Sequence, residues 1–248
     1  MNIRRNLVVA TLGALFCTSA LPAMAAPLSM STLSDDIRLD SLPEGGTLNT
    51  VSGDVRVQSV GGALSANLAS GDFQAGKVVG GLNVHSASGN ITVDTVTGPV
   101  DIRSASGDVD LHKVEGTVSI EVASGDVDLP SVTSNMHVRT ASGDVKAALV
   151  GSGGTSRSVD IRTASGNVVL HLPHDFDGRL DLGLTETANT VGKYHITQDF
   201  GLKVETGEWE THGLGEKTRR LYVVGTIGSG RDVVKVHVAR SNITVTHD

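Results

Sequence analysis

The sequence predicts an all-β protein: a parallel, right-handed β-solenoid (β-helix) of 18-residue coils with an irregular C-terminal β cap. Three observations predict it. Ser-Gly followed by Asp or Asn recurs at Ser52, Ser70, Ser88, Ser106, Ser124 and Ser142, each 18 residues after the last. Apolar residues keep one phase in every repeat, with Leu64, Leu82, Val100, Val118 and Met136 before the signature and Phe73, Ile91, Val109, Val127 and Val145 after it. The composition, with 30 glycines and 3% aromatic residues, suits many turns and a core of small aliphatic side chains.

From the beginning of the chain, Arg4 and Arg5, an apolar run from Leu7 to Leu21 and then Ala23-Met24-Ala25 have the three-part layout of a secretory signal. Residues 1–25 are therefore expected to be a signal peptide cleaved after Ala25, leaving an exported protein in the periplasm or outside the cell. The run is short for a membrane span, and no later stretch supplies the ~20 consecutive apolar residues a span needs. Cys17 is the sole cysteine and lies in the leader, so the mature chain has no disulfide, thiolate metal site or cysteine nucleophile. Losing Arg4 and Arg5 takes the formal charge from −7 to −9, the wrong sign for binding nucleic acid through its phosphates. Residues 26–41 read as an N-terminal linker.

Residues 42–172 read as the regular solenoid. A second glycine column, Gly62, Gly80, Gly98 and Gly116, runs in phase with the first, so each coil has two turns and two strands. Hairpins in a meander tolerate unequal strands, whereas a solenoid must return each residue to its own column at ~4.8 Å spacing. Five equal intervals therefore favour the solenoid. His85, Arg103, Glu121 and Arg139 should then lie over one another, with Glu121 between two arginines. Alanine precedes the signature at Ala69, Ala87, Ala105, Ala123 and Ala141, where little room is expected. A seventh signature at Ser165 comes 23 residues after Ser142, which places a five-residue insertion in the Gly-Ser-rich stretch 151–157. Residues 173–248 read as a less regular continuation and cap. The pattern from Val234 to Val245 matches Leu82 to Val93 and is expected to close the stack as its last coil.

The repeated Ala-Ser-Gly-Asp-Val units, the strand ending Leu170-His171-Leu172-Pro173 and Gly225-Thr226-Ile227-Gly228-Ser229-Gly230 before a final strand pair resemble the bacterial adhesin-type family of β-strand-repeat proteins. The resemblance covers roughly Leu42 to Val245. It implies an exported or envelope-attached β-helix-like domain of unknown function, with no established catalytic residues.

The acidic column Asp54, Asp72, Asn90, Asp108, Asp126, Asp144 and Asn167 invites a calcium reading, because stacked carboxylates repel and hard oxygen donors in glycine-rich turns suit that ion. Asn90 and Asn167 keep an acceptor oxygen but drop the charge. That favours a turn role in which each side chain bonds backbone N–H groups of its own turn. No histidine spacing makes a metal site, and the serines repeat one context without a matching base, so no catalytic, cofactor or metal residues are expected. Trp209, Tyr194 and Tyr222 fall in the irregular C-terminal part and form the expected ligand surface. The resulting expectation is a non-catalytic, adhesin-like structural or interaction module of the cell envelope, engaging an envelope or surface protein or glycan. The alternative is a glycan-binding or glycan-cleaving β-helix.

Overall fold

The computed structural model describes residues 26–151, 155–212 and 216–247. The leader expected over residues 1–25 lies outside them. The described residues form strands and no helix. The regular part runs β1 (Leu28–Thr32), β2 (Ile37–Leu42), β3 (Gly45–Ser52), β4 (Val55–Val60), β5 (Ala63–Ser70), β6 (Phe73–Val78), β7 (Leu82–Ser86), β8 (Ile91–Val96), β9 (Val100–Ser106), β10 (Val109–Val114), β11 (Val118–Ser124), β12 (Val127–Val132), β13 (Met136–Ser142), β14 (Val145–Leu149), β15 (Ser158–Ser165) and β16 (Val168–Leu172). Odd strands build one sheet and even strands the other, every neighbour parallel. Val109 pairs with Val127 and Val118 with Val100, so residues 18 apart are stacked neighbours. The insertion appears where expected, since Met136 pairs with Val159 and Val145 with Val168.

Alternation puts Leu82 and Val84, or Val118, Ile120 and Val122, inside the first sheet. In the second sheet the pattern departs from strict alternation: Val109 and Leu111 are buried, two exposed residues follow, and Val114 turns inward again. Both sheets contribute to one apolar cluster. Each fully buried Val, Leu or Ile stabilises by ~1.5–3 kcal/mol, but only when the next coil covers it.

Residues 26–41 do not form a linker. Leu28 pairs with Gly46 and Ile37 with Val55, so this segment is the first coil. Its signature is Ser34-Asp35-Asp36, with Asp where later coils have glycine. The later glycines are required by stacking. At Gly107, with φ of 111°, an added Cβ would lie 2.2 Å from the Gly89 carbonyl oxygen of the coil before. No described coil precedes Asp35, so a side chain there meets no such carbonyl.

The C-terminal part holds β17 (Gly178–Thr187), β18 (Ile196–Gln198), β19 (Glu205–Thr206), β20 (Glu210–His212), β21 (Glu216–Ile227), β22 (Asp232–Ala239) and β23 (Ile243–His247). The coil of β22 and β23 stacks on β15 and β16, as the match to Leu82–Val93 implies. It does not end the stack. β17 pairs with the far side of β22 and β18 with the far side of β23, so the final coil is enclosed by residues that precede it in the chain. β21 extends the first sheet as an antiparallel neighbour of β17 and in turn carries β19 and β20. The physical reason is that β17 and β21 pair over ten residues and make a wide cap, which leaves β22 to fill the layer between.

Candidate functional site

The acidic column forms a continuous ladder, although not within each turn. The N–H of Asp126 donates to Asp108 Oδ1 at 2.8 Å, and that of Asp144 to Asp126 Oδ1 at 2.7 Å. Each side chain thus bonds the backbone of the next coil rather than its own. The reason is stacking, which brings the neighbouring turn's N–H directly over the acceptor. The ladder begins at Asp36 and continues to Asn242, whose Oδ1 accepts the His195 N–H at 2.9 Å. Carboxamide and carboxylate both serve in the ladder, because the ladder bond itself uses only one acceptor oxygen. The Asp72 N–H holds the Asp54 carboxyl below its usual pKa, with help from Arg56. Among the described residues no three His, Cys, Asp or Glu side chains converge as a metal site.

The alanine column has room. Ala69, Ala87, Ala105, Ala123 and Ala141 are exposed, as is Val51 in the same column. They form the floor of a groove of 1610 Å³ that follows the first sheet from β1 to β17. Ten strands from β1 to β17 line it, with Arg220 reaching in from the next, β21, and at ~4.8 Å per step it is roughly 40 Å long. Alanine was read as filling a tight corner. It fits either side of a sheet, and here its small size keeps an outward trench open.

One wall is the column predicted from His85 to Arg139, and the register is as expected: His85 pairs with Arg103, Arg103 with Glu121 and Glu121 with Arg139. The column is longer than expected, starting at Asn49 and Asn67 and continuing through Arg162 and His237. Asn67 Nδ2 donates to Asn49 Oδ1 at 2.8 Å, so the amide end is pre-ordered. Arg103 lies 3.8 Å from both Asp101 and Glu121, exposed pairs that contribute little. Arg162 is held by Asp160 at 3.0 Å.

Past His237 the column reaches Gly183. A Cβ there would lie 2.6 Å from both Arg220 Nη2 and His237 Cδ2, so the missing side chain lets the guanidinium lie across the sheet beside the imidazole. Burial first, and then Arg220, push the His237 pKa down against the pull of Asp181. Among the described residues its Nε2 has no hydrogen-bond partner, although Asp181 Oδ1 is 3.5 Å away. The buried hydroxyls of Ser86 and Thr163, which also line the groove, likewise have no partner among the described residues.

The expected aromatic surface is divided. Trp209 and Tyr222 belong to the antiparallel extension of the first sheet, whereas Tyr194 packs against the core where the chain leads into β18 of the second. Arg219 lies 4.8 Å from the Trp209 ring centroid and its Nε donates to the fully buried Glu186 carboxylate. Tyr222 lines a smaller pocket of 620 Å³ with Glu208, Glu210 and Arg220. Glu205 beside its hydroxyl pushes the phenol pKa up. Lys193 lies over the Tyr194 ring at 5.6 Å.

The fold and this groove define a parallel β-solenoid whose repeats present one long, chemically graded trench. The family model of the Toastrack DUF4097 domain matches residues 78–246, and the chain belongs to that family, a β-repeat fold of unknown function. No curated protein and no solved structure matches the chain.

Proposed function

We propose that the protein is an exported, non-catalytic interaction module of the bacterial cell envelope, adhesin-like in its role, which holds its partner along the alanine-floored groove. The observation that carries this reading is the groove itself. A column of small exposed residues is maintained beside a column of amides, histidines and arginines over ten strands. A coil needs no such pairing to bury its core. Export is supported by the three-part pattern of residues 1–25. Binding is favoured over cleavage because Glu121 is the one carboxylate lining the groove among the described residues, while glycoside hydrolysis ordinarily employs two.

Two measurements test the reading. The protein recovered from its own cell envelope should begin at Ala26. Purified protein should co-sediment with isolated envelopes, and Ala105→Trp or Ala123→Trp should abolish this with an unchanged melting temperature, since both positions are exposed. Full retention by both variants would remove the groove from consideration.

A further inference from the structure

The wall of the groove is not chemically uniform. Towards β1 it presents Asn49, Asn67 and His85, and from β9 onward it presents Arg103, Arg139, Arg162 and Arg220 against the single acid Glu121. The chain as a whole carries a formal charge of −7, and within the trench Arg103 and Arg162 are offset by Asp101, Glu121 and Asp160, which leaves Arg139 and Arg220 as its uncompensated positive charges. Among the described residues neither Arg139 nor Arg220 has a carboxylate within salt-bridge distance, and both are exposed. Gly183 makes space for Arg220 where a side chain would displace it.

We propose that the groove binds a linear anionic polysaccharide, a chain of sugars bearing carboxylate or phosphate groups, lying along the alanine floor with its charges against Arg139 and Arg220. This rests on the groove being the contact surface and adds the class of ligand. Three features select that class. Guanidinium forks pair with carboxylate and phosphate through two parallel hydrogen bonds. Coils repeat at ~4.8 Å, and a chain of equatorially linked pyranose rings advances by about one ring per such step, whereas a strand-like peptide at ~3.3 Å per residue falls out of phase. The trench is open along its length, which suits a polymer passing through and gives acyl chains no enclosure from water. The alanine methyls face the C–H surfaces of the rings, and the asparagine ladder supplies donors and acceptors to hydroxyls at the neutral end.

Calorimetric titration of the purified protein with oligomannuronate, whose rings are equatorially linked, tests this. Binding is expected, weakened at least about tenfold by Arg139→Glu and progressively by added salt, and blocked by Ala123→Trp. Neutral cello-oligosaccharide should not bind. Unchanged melting temperatures establish that the variants fold, and Ala105→Trp replaces Ala123→Trp should the latter fail to. The proposal is overturned if oligomannuronate does not bind, if the neutral oligomer binds equally, or if polyglutamate or phosphatidylglycerol vesicles bind more tightly. Envelope co-sedimentation separates the two levels. Loss with Ala123→Trp but not with Arg139→Glu removes the anionic glycan and keeps the groove; retention by both variants removes the groove.

Discussion

Asp54 illustrates how one side chain serves two coils. Its Oδ1 accepts the Asp72 N–H at 3.0 Å and its Oδ2 the Arg56 guanidinium at 3.0 Å, and together these hold its carboxyl below the ordinary range. A carboxyl depressed in the folded state adds stability that is present above its unfolded pKa of about 3.9 and lost as pH falls through the lower folded value. Asp54→Asn keeps the ladder acceptor but gives up the charge, so at pH 7 the urea midpoint should fall by what the ionised carboxyl contributes, less than for Asp54→Ala, and the part of the acid dependence carried by this carboxyl disappears. Asp54→Ala should cost about 1 kcal/mol at pH 7, the ordinary value of a lost hydrogen bond. Equal losses for the two variants would mean that the charge, and not the acceptor, holds the turn. The position of this column was legible from Ser-Gly-Asp alone. Its partner was not, because a sequence shows that Asp bonds a nearby N–H but not that the stacked turn is nearer than its own.

At the scale of elements, the regular strands could be read in advance because local periodicity and stacking demand the same pattern. Three elements escaped. β1 and β2 were hidden by Asp35, which breaks the signature only where no described coil lies beneath it. The exposure of the alanine column was hidden because alanine suits a tight corner and an open trench alike. The place of β22 was hidden because its neighbours are 75 and 54 residues away, at Val159 and Leu180, and no local signal spans such distances. What fixes β22 is a buried ion pair. Asp232 Oδ2 accepts Arg157 Nε at 3.0 Å and Nη2 at 2.7 Å, and Oδ1 accepts the Arg157 N–H at 3.0 Å. Arg157 Nη1 also donates to the Gly151 carbonyl at 2.6 Å, which ties the five-residue insertion to the same point. Both side chains are 3% exposed or less, so Asp232→Ala would strand a guanidinium without its counter-charge and should cost about 3–5 kcal/mol. Hydrogen exchange should show the loss concentrated in β22 and β23. Uniform loosening along all coils would argue instead for one fully cooperative unit.

On the scale of the whole molecule, a solenoid has a particular weakness: each interior coil is covered on both sides, but the end strands present unpaired N–H and C=O groups over an apolar interior. At the C-terminal end the chain answers this with β17, β18 and β21, placed over the last coil by passing beyond it and returning. The order of events implied is demanding, since β22 has to enter between β15 and a cap whose strands come earlier in the sequence. Ending the chain at Leu172 would remove β17 to β23 together and leave β15 and β16 as bare edges, with Val159, Ile161, Val168 and Leu170 losing their cover. Parallel edges with a matched 4.8 Å step are templates for one another, so the truncated protein is expected to retain β structure by circular dichroism but to associate. Sedimentation velocity should show concentration-dependent oligomers that the full chain does not form. A truncated protein that stayed monomeric and melted like the full chain would show that the cap is not needed to protect this end, and would shift attention to the groove residues it contributes, Gly183, Thr185 and Arg220, as the reason the irregular segment is there.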